Sequence, residues 1–95
     1  MPKRSASDEI AKKIAEARDQ FAEVVRLRPD FAPGHLNYGV ALAKLGQVRE
    51  AYGHFRATLK LDPGNAMAAE YLRTIESAVQ SGAGPAEPSS PPPAD

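Results

Sequence analysis

Cysteine and tryptophan are absent from the 95 residues of this chain. Without cysteine the protein has no disulfide, no thiolate metal ligand and no thiol nucleophile. An excess of charge of one sign is also missing, because twelve basic residues balance twelve acidic ones. No net field therefore attracts the chain to nucleic acid or to an anionic membrane, and we predict neither as a partner.

Long hydrophobic runs are missing as well. A membrane-spanning helix needs about 20 consecutive apolar residues, and a secretory signal needs an apolar stretch of about 7–15. The first five residues, Met-Pro-Lys-Arg-Ser, lead instead into the acidic pair Asp8 and Glu9. The sequence as it stands predicts a cytoplasmic location.

Motifs for catalysis and metal binding are lacking. The sequence has no glycine-rich phosphate loop and no nucleophile turn of the kind that hydrolases use. Its two histidines, His35 and His54, lie on different predicted helices without a cysteine or a carboxylate at ligand spacing. We predict that the chain is not an enzyme and that it needs no metal or other cofactor.

An internal repeat is present instead. Shifting the chain by 34 positions aligns Ala17 with Ala51, Phe21 with Phe55, and Pro29 with Pro63. In each segment the apolar residues recur at helical spacing along one face. Proline disfavours helical geometry at the residue before it. The repeat therefore predicts two equivalent helices, each followed by a break.

A further helix is predicted between the two prolines, over residues 32–45, and Gly46 ends it. Glycine readily adopts the positive φ that many helix C-termini use, so the chain can reverse here into the next helix. Small residues at Gly39 and Ala51 would let the two backbones approach closely. The space between them would be filled by Tyr38, Leu42, Tyr52 and Phe55.

These residues resemble the tetratricopeptide repeat family, whose repeating unit is a helical hairpin of about 34 residues. On this resemblance residues 32–65 are one complete unit with a partial repeat on either side. The positions that carry the resemblance are Ala17, Phe21, Pro29, Tyr38, Gly39, Leu42, Gly46, Ala51, Phe55 and Pro63. It implies an all-α fold in which antiparallel hairpins stack as a short right-handed α-solenoid of about four helices.

The domain organisation follows from this register. We predict a flexible N-terminus at residues 1–6, a helical domain at 7–80 and a disordered tail rich in proline and serine at 81–95. The helices are expected at about 7–28, 32–45, 48–61 and 66–80. Ser7 can cap the first helix, which has no breaker at Lys12 where the family has a turn.

The last predicted helix is expected to close the stack. Asn65 can cap its N-terminus, and Arg73 stands where the family has a glycine that contacts the next helix. We expect it to turn one apolar face toward the preceding hairpin, formed by Ala69, Leu72, Ile75 and Val79.

The resemblance also implies a binding surface for a protein or peptide. In the family, the first helices of the hairpins line a concave groove that receives an extended peptide or a partner helix. The residues at groove positions that we single out are Leu36, Asn37, Val40, Lys44 and Tyr71. The Asn37 amide can both donate and accept hydrogen bonds, although an exposed helix residue without a role is the alternative. Tyr71 offers a flat contact surface, or it covers the edge of the core.

The sequence therefore predicts an adaptor or scaffold module. Two alternatives stay open. The apolar flank of Ile10, Ala11 and Ile14 on the first helix would support a self-associating structural repeat, that is, a homo-oligomer formed through the N-terminal helix. The chain would otherwise be the C-terminal piece of a longer repeat array that is attached to another domain, an enzymatic one included.

Overall fold

A computed structural model describes residues 6–80 and gives side-chain positions from Asp8 onward. These residues form four helices, α1 Ala6–Leu27, α2 Ala32–Lys44, α3 Val48–Leu61 and α4 Ala66–Gln80, and they contain no strand. The predicted all-α fold of about four helices is confirmed. The predicted tail at 81–95 lies outside the described residues, and so does the predicted flexible N-terminus apart from Ala6.

The first helix is long because its 22 residues contain neither glycine nor proline. Asp8 and Glu9 place negative charge at the positive end of the helix dipole. The helix begins at Ala6, so Ser7 lies in its first turn and the prediction that Ser7 is the N-cap is wrong. Neither α1 nor any other helix within residues 6–80 combines the length and apolarity needed to cross a membrane.

A tight reversal joins α2 to α3. Gly46 has a φ of +84°, a conformation that costs other residues about 1–2 kcal/mol. Its N–H donates to the carbonyl of Ala43 at 3.0 Å, and the Gln47 N–H donates to the carbonyl of Leu42 at 2.8 Å. The first bond satisfies a carbonyl at the end of α2, and the second adds a donor to the Leu42 carbonyl, which also accepts from the Leu45 N–H at 3.1 Å. The short loop makes α2 and α3 an antiparallel hairpin.

The core lies between this hairpin and α4. Its buried cluster consists of Leu42, Ala51, Phe55 and Leu72. The Phe55 ring is fully buried and lies against Gly39, where an added Cβ would be only 2.7 Å from Phe55 Cε1. Glycine at position 39 thus allows the two helices to pack this closely.

The last helix is fixed by its cap and by a small contact residue. Asn65 Oδ1 accepts a hydrogen bond from the Ala68 N–H at 2.9 Å, which makes Asn65 the N-cap. Ala68 and Leu72, four residues apart, are the buried residues of α4. Ala69 is exposed and Val79 is 61% exposed, so the prediction that both pack against the hairpin is wrong. Ala69 lies one residue beyond the buried stripe, which is about 100° around the helix.

Candidate functional site

An open cleft runs between α1 and α2. Its volume is about 220 Å³, and it is lined by Ile14, Ala17 and Phe21 of α1 and by Asn37, Val40, Ala41 and Lys44 of α2. Ala41 is buried, whereas Asn37 and Lys44 are exposed. The cleft therefore offers apolar surface with one amide and one ammonium group beside it.

The five predicted groove residues differ in their surroundings, and Val40 both lines the cleft and packs against the core cluster. Asn37, Val40 and Lys44 line the cleft. Leu36 and Tyr71 are partly buried against the core cluster. The Tyr71 ring is stacked on Phe55, with 4.8 Å between ring centroids and 4° between ring planes. Tyr71 thus packs on the core with part of its side chain exposed, and the cleft itself contains three of the five residues.

The cleft is open because α1 has fewer neighbours than its equivalent, α3. In α3, which contacts both α2 and α4, Ala51 and Phe55 are 0% exposed. Ala17 and Phe21, which occupy the same repeat positions in α1, are only half-buried. Among the described residues α1 packs extensively against α2 alone. Asn37, which stands where the second register has Tyr71, also leaves Phe21 less covered.

Two cations, Lys44 and Arg18, lie where α2 ends. Lys44 lies in the last turn of α2, where the helix dipole favours a cation. Arg18 of α1 reaches the following loop, and its Nη1 donates to Gln47 Oε1 at 3.4 Å. Asp19 forms an ion pair with Arg18 at 3.1 Å, so Arg18 is partly neutralised. This end of the cleft is therefore suited to a partner group of negative charge.

The two histidines form a pair that was not predicted from the sequence. His35 Nδ1 and His54 Nδ1 lie 3.0 Å apart, and His35 Nε2 lies 2.7 Å from the carbonyl oxygen of Pro29. Because a carbonyl only accepts, His35 Nε2 carries the proton of that bond, and in neutral His35 Nδ1 accepts from His54. Glu50 lies one turn before His54 and acts on it electrostatically.

The pair is a structural link between helices. Burial of His54 lowers the pKa of its imidazole; the neighbouring His35 lowers it further, while Glu50 opposes the shift. Within residues 6–80 no group of three or more metal-ligating side chains is close enough to hold a metal ion. Two histidines on facing helices of one predicted hairpin were the available signal, but the rotation of each helix decides whether they meet.

Comparison with known proteins agrees with this architecture. Residues 32–65 match the sequence profile described as tetratricopeptide repeat. They are a tetratricopeptide repeat. The repeat consists of α2, α3 and the loop up to Asn65, while α1 and α4 hold the positions of a preceding second helix and a following first helix.

Two longer proteins are similar to the chain. Protein STIP1 homolog from Dictyostelium discoideum is 34% identical over 83 residues, which are 87% of this chain and 15% of that protein. Heat shock protein STI1 from Saccharomyces cerevisiae is 32% identical over 72 residues, 76% of this chain and 12% of that protein. The chain thus spans less than a fifth of either relative. No solved structure matches the chain.

A second apolar cleft lies at the other end of the tetratricopeptide repeat, between α3 and α4. Its volume is about 320 Å³, and it is lined by Val48, Arg49, Tyr52, Ile75, Glu76, Val79 and Gln80. The Tyr52 hydroxyl donates to Glu76 Oε2 at 2.8 Å, and this bond raises the pKa of Tyr52. Glu76 occupies the repeat position of Leu42, so a polar contact stands where the complete repeat has core packing.

Proposed function

We propose that the chain is an adaptor or scaffold module that binds a peptide or a helix of a partner protein on the groove side of α2, centred on the α1–α2 cleft. One observation carries this proposal: Asn37, Val40 and Lys44 line one open cleft together with half-buried apolar side chains of α1. The names of the two relatives, one of them a heat shock protein, are compatible with such a role.

The size of the cleft supports a polypeptide as the occupant. Pockets that enclose a small molecule measure about 300–1,000 Å³, and this cleft, at about 220 Å³, is smaller. It can accept one or two side chains of a larger partner whose remaining contacts lie outside it. The adjacent Asn37 amide is suited to a partner's backbone, which presents both donors and acceptors.

Site-specific photocrosslinking tests the proposal. A benzoylphenylalanine residue is introduced at Asn37 and, as a matched control, at Lys60, which is exposed in the last turn of α3. We expect irradiation to give discrete protein adducts from position 37 that Val40→Glu reduces, and no such adducts from position 60. Identical adduct patterns from both positions would exclude the cleft as the binding surface.

Self-association is a second candidate, because Ile10 is 57% exposed one turn before Ile14 of the cleft. A dimer formed through this flank would bury Ile10 and would weaken when Ile10 is replaced by glutamate. Sedimentation velocity over a hundredfold range of concentration measures this directly. A single monomer species at every concentration rules out the candidate. The chain as one part of a longer repeat array is the remaining alternative, and the length of the relatives favours it.

A further inference from the structure

We infer that the α1–α2 cleft binds an amphipathic helix of a separate polypeptide. This helix packs on α1 as α2 packs on α3, so it completes the partial repeat to which α1 belongs and places a glycine against Phe21. This inference rests on the proposed function and specifies its partner class.

The chain itself supplies the template for this interaction. In the α2–α3 hairpin, α2 places Gly39 against Phe55, and Ala51 and Phe55 are completely buried. Ala17 and Phe21 occupy the same repeat positions in α1, yet they remain half-buried beside an open cleft. A helix that packed on α1 as α2 packs on α3 would bury them.

The template also fixes the chemistry of the contact residue. A Cβ on Gly39 would lie 2.7 Å from Cε1 and 3.0 Å from Cδ1 of Phe55, both shorter than the normal contact of about 3.5–4.0 Å between carbon atoms. The same distance between helices on α1 leaves room only for a residue without a side chain opposite Phe21. A helix with leucine at this position is held away from the cleft.

The template gives the direction of the bound helix, and the charges at the end of α2 agree with it. A helix that packs on α1 as α2 packs on α3 runs antiparallel to α1, and its C-terminus lies where α2 ends. Lys44 stands at that point, with Arg18 nearby. The C-terminus of a helix carries about half a negative charge, so the bound helix and the cations are complementary.

Two observations favour a separate polypeptide over this chain's own helices. First, α1 continues as a helix from Ile14 back to Ala6, about 12 Å beyond the point where a short loop would have to turn. A preceding segment therefore cannot reach the cleft through the tight reversal that joins α2 to α3. Second, α4 of another copy carries Arg73 at the repeat position of Gly39, where even a Cβ is too large, and α2 of another copy already has Gly39 packed against its own buried Phe55.

Titration of the full chain with a helical probe peptide tests the inference. The probe has the sequence of residues 32–44, with a hydrocarbon staple that replaces Pro33 and Asn37, two exposed residues of α2, so that less ordering entropy opposes binding. Its matched control carries Gly39→Leu. Backbone amide shifts are followed by NMR in the wild-type chain and in Ala17→Leu, whose larger side chain fills the cleft.

We expect the parent probe to shift the amide resonances of Ala17, Phe21 and Val40 in the wild-type chain. It should bind the wild-type chain at least tenfold more tightly than the Gly39→Leu probe does, and at least tenfold more tightly than it binds the Ala17→Leu chain. Equal affinity of both probes, shifts confined to α4, or no binding would each overturn the inference. Adducts from position 37 in the crosslinking experiment combined with a negative titration would retain the adaptor function but exclude a helical partner. Failure of both experiments would remove the adaptor function as well.

Discussion

The substitution of glycine by alanine can be tested at Gly39 and at Gly53, which lie in neighbouring helices. We expect it to change the free energy of unfolding in opposite directions at the two positions. Gly39 lies inside α2 and Gly53 inside α3. A Cβ added at Gly53 meets no atom within 4 Å, whereas a Cβ added at Gly39 meets three atoms of the Phe55 ring. Both substitutions reduce the conformational freedom of the unfolded chain by the same amount, so their difference isolates the steric contact.

The magnitude follows from the two environments. Alanine in place of glycine inside a helix is favourable by about 0.5–1 kcal/mol, and Gly53→Ala should raise the free energy of unfolding by this amount. At Gly39 the nearest contact, 2.7 Å, is about 0.8 Å inside the normal separation. The ring cannot easily move, because it is fully buried and stacked on Tyr71. Overpacking costs about 1–3 kcal/mol, so Gly39→Ala should lower the free energy of unfolding by about 1 kcal/mol overall.

Urea unfolding monitored by circular dichroism at 222 nm measures both variants. We expect a separation of about 2 kcal/mol between them, which for a domain of this size corresponds to about 8–16 °C in Tm. The unfolding slope with urea should stay constant, since neither substitution changes the surface that unfolding exposes. Equal stabilisation by both substitutions would show that α2 and α3 are farther apart at Gly39 than the 2.7 Å contact with Phe55 implies.

Three further substitutions test the core, the cap and the histidine pair. Phe55→Ala should lower the free energy of unfolding by about 3–5 kcal/mol and Phe21→Ala clearly less, since Phe21 is half-buried; equal losses in urea titrations would contradict the difference between α1 and α3. Asn65→Ala should cost about 1 kcal/mol and Asn65→Asp little, because aspartate also caps; calorimetry distinguishes the two. The pKa of His54 is lowered on folding, so the stability from neutral His54 is complete above its ordinary pKa of about 6.5 and is lost as pH falls through the folded value. Between pH 7.5 and 5.0 the urea midpoint should therefore depend less on pH in His54→Gln than in the wild-type chain. An unchanged pH dependence of the midpoint would exclude His54 as its source.

The helical architecture was predictable because its signals are local. Pro29 and Pro63 mark breaks, Gly46 marks the reversal, and the internal repeat relates two helices without any knowledge of their packing. The error at Ala69 concerns rotation about the helix axis. Ala68 and Ala69 are both alanines next to an apolar stripe, and the stripe alone does not decide which of them faces α3.

The proposed binding surface was less predictable for a related reason. The family register assigns Tyr71 and Asn37 to the same repeat position, but their surroundings differ. Phe55 precedes Tyr71 by the same spacing as Phe21 precedes Asn37. The large ring of Tyr71 stacks on Phe55, while the smaller Asn37 leaves a cleft beside Phe21. The register gives the position of a residue on its helix, whereas side-chain size and the number of neighbouring helices decide whether that position becomes core or cleft.

The same comparison supports the proposed partner site at the partial repeat of α1. A repeat unit buries its apolar face only through its neighbours, and the sequence of α1 keeps the alanine and phenylalanine that α3 uses for full burial. Phe21 is half-buried in the chain alone, and a helix at the cleft would bury the rest. The additional burial of Phe21 from solvent on binding therefore reports whether the bound helix has completed the partial repeat.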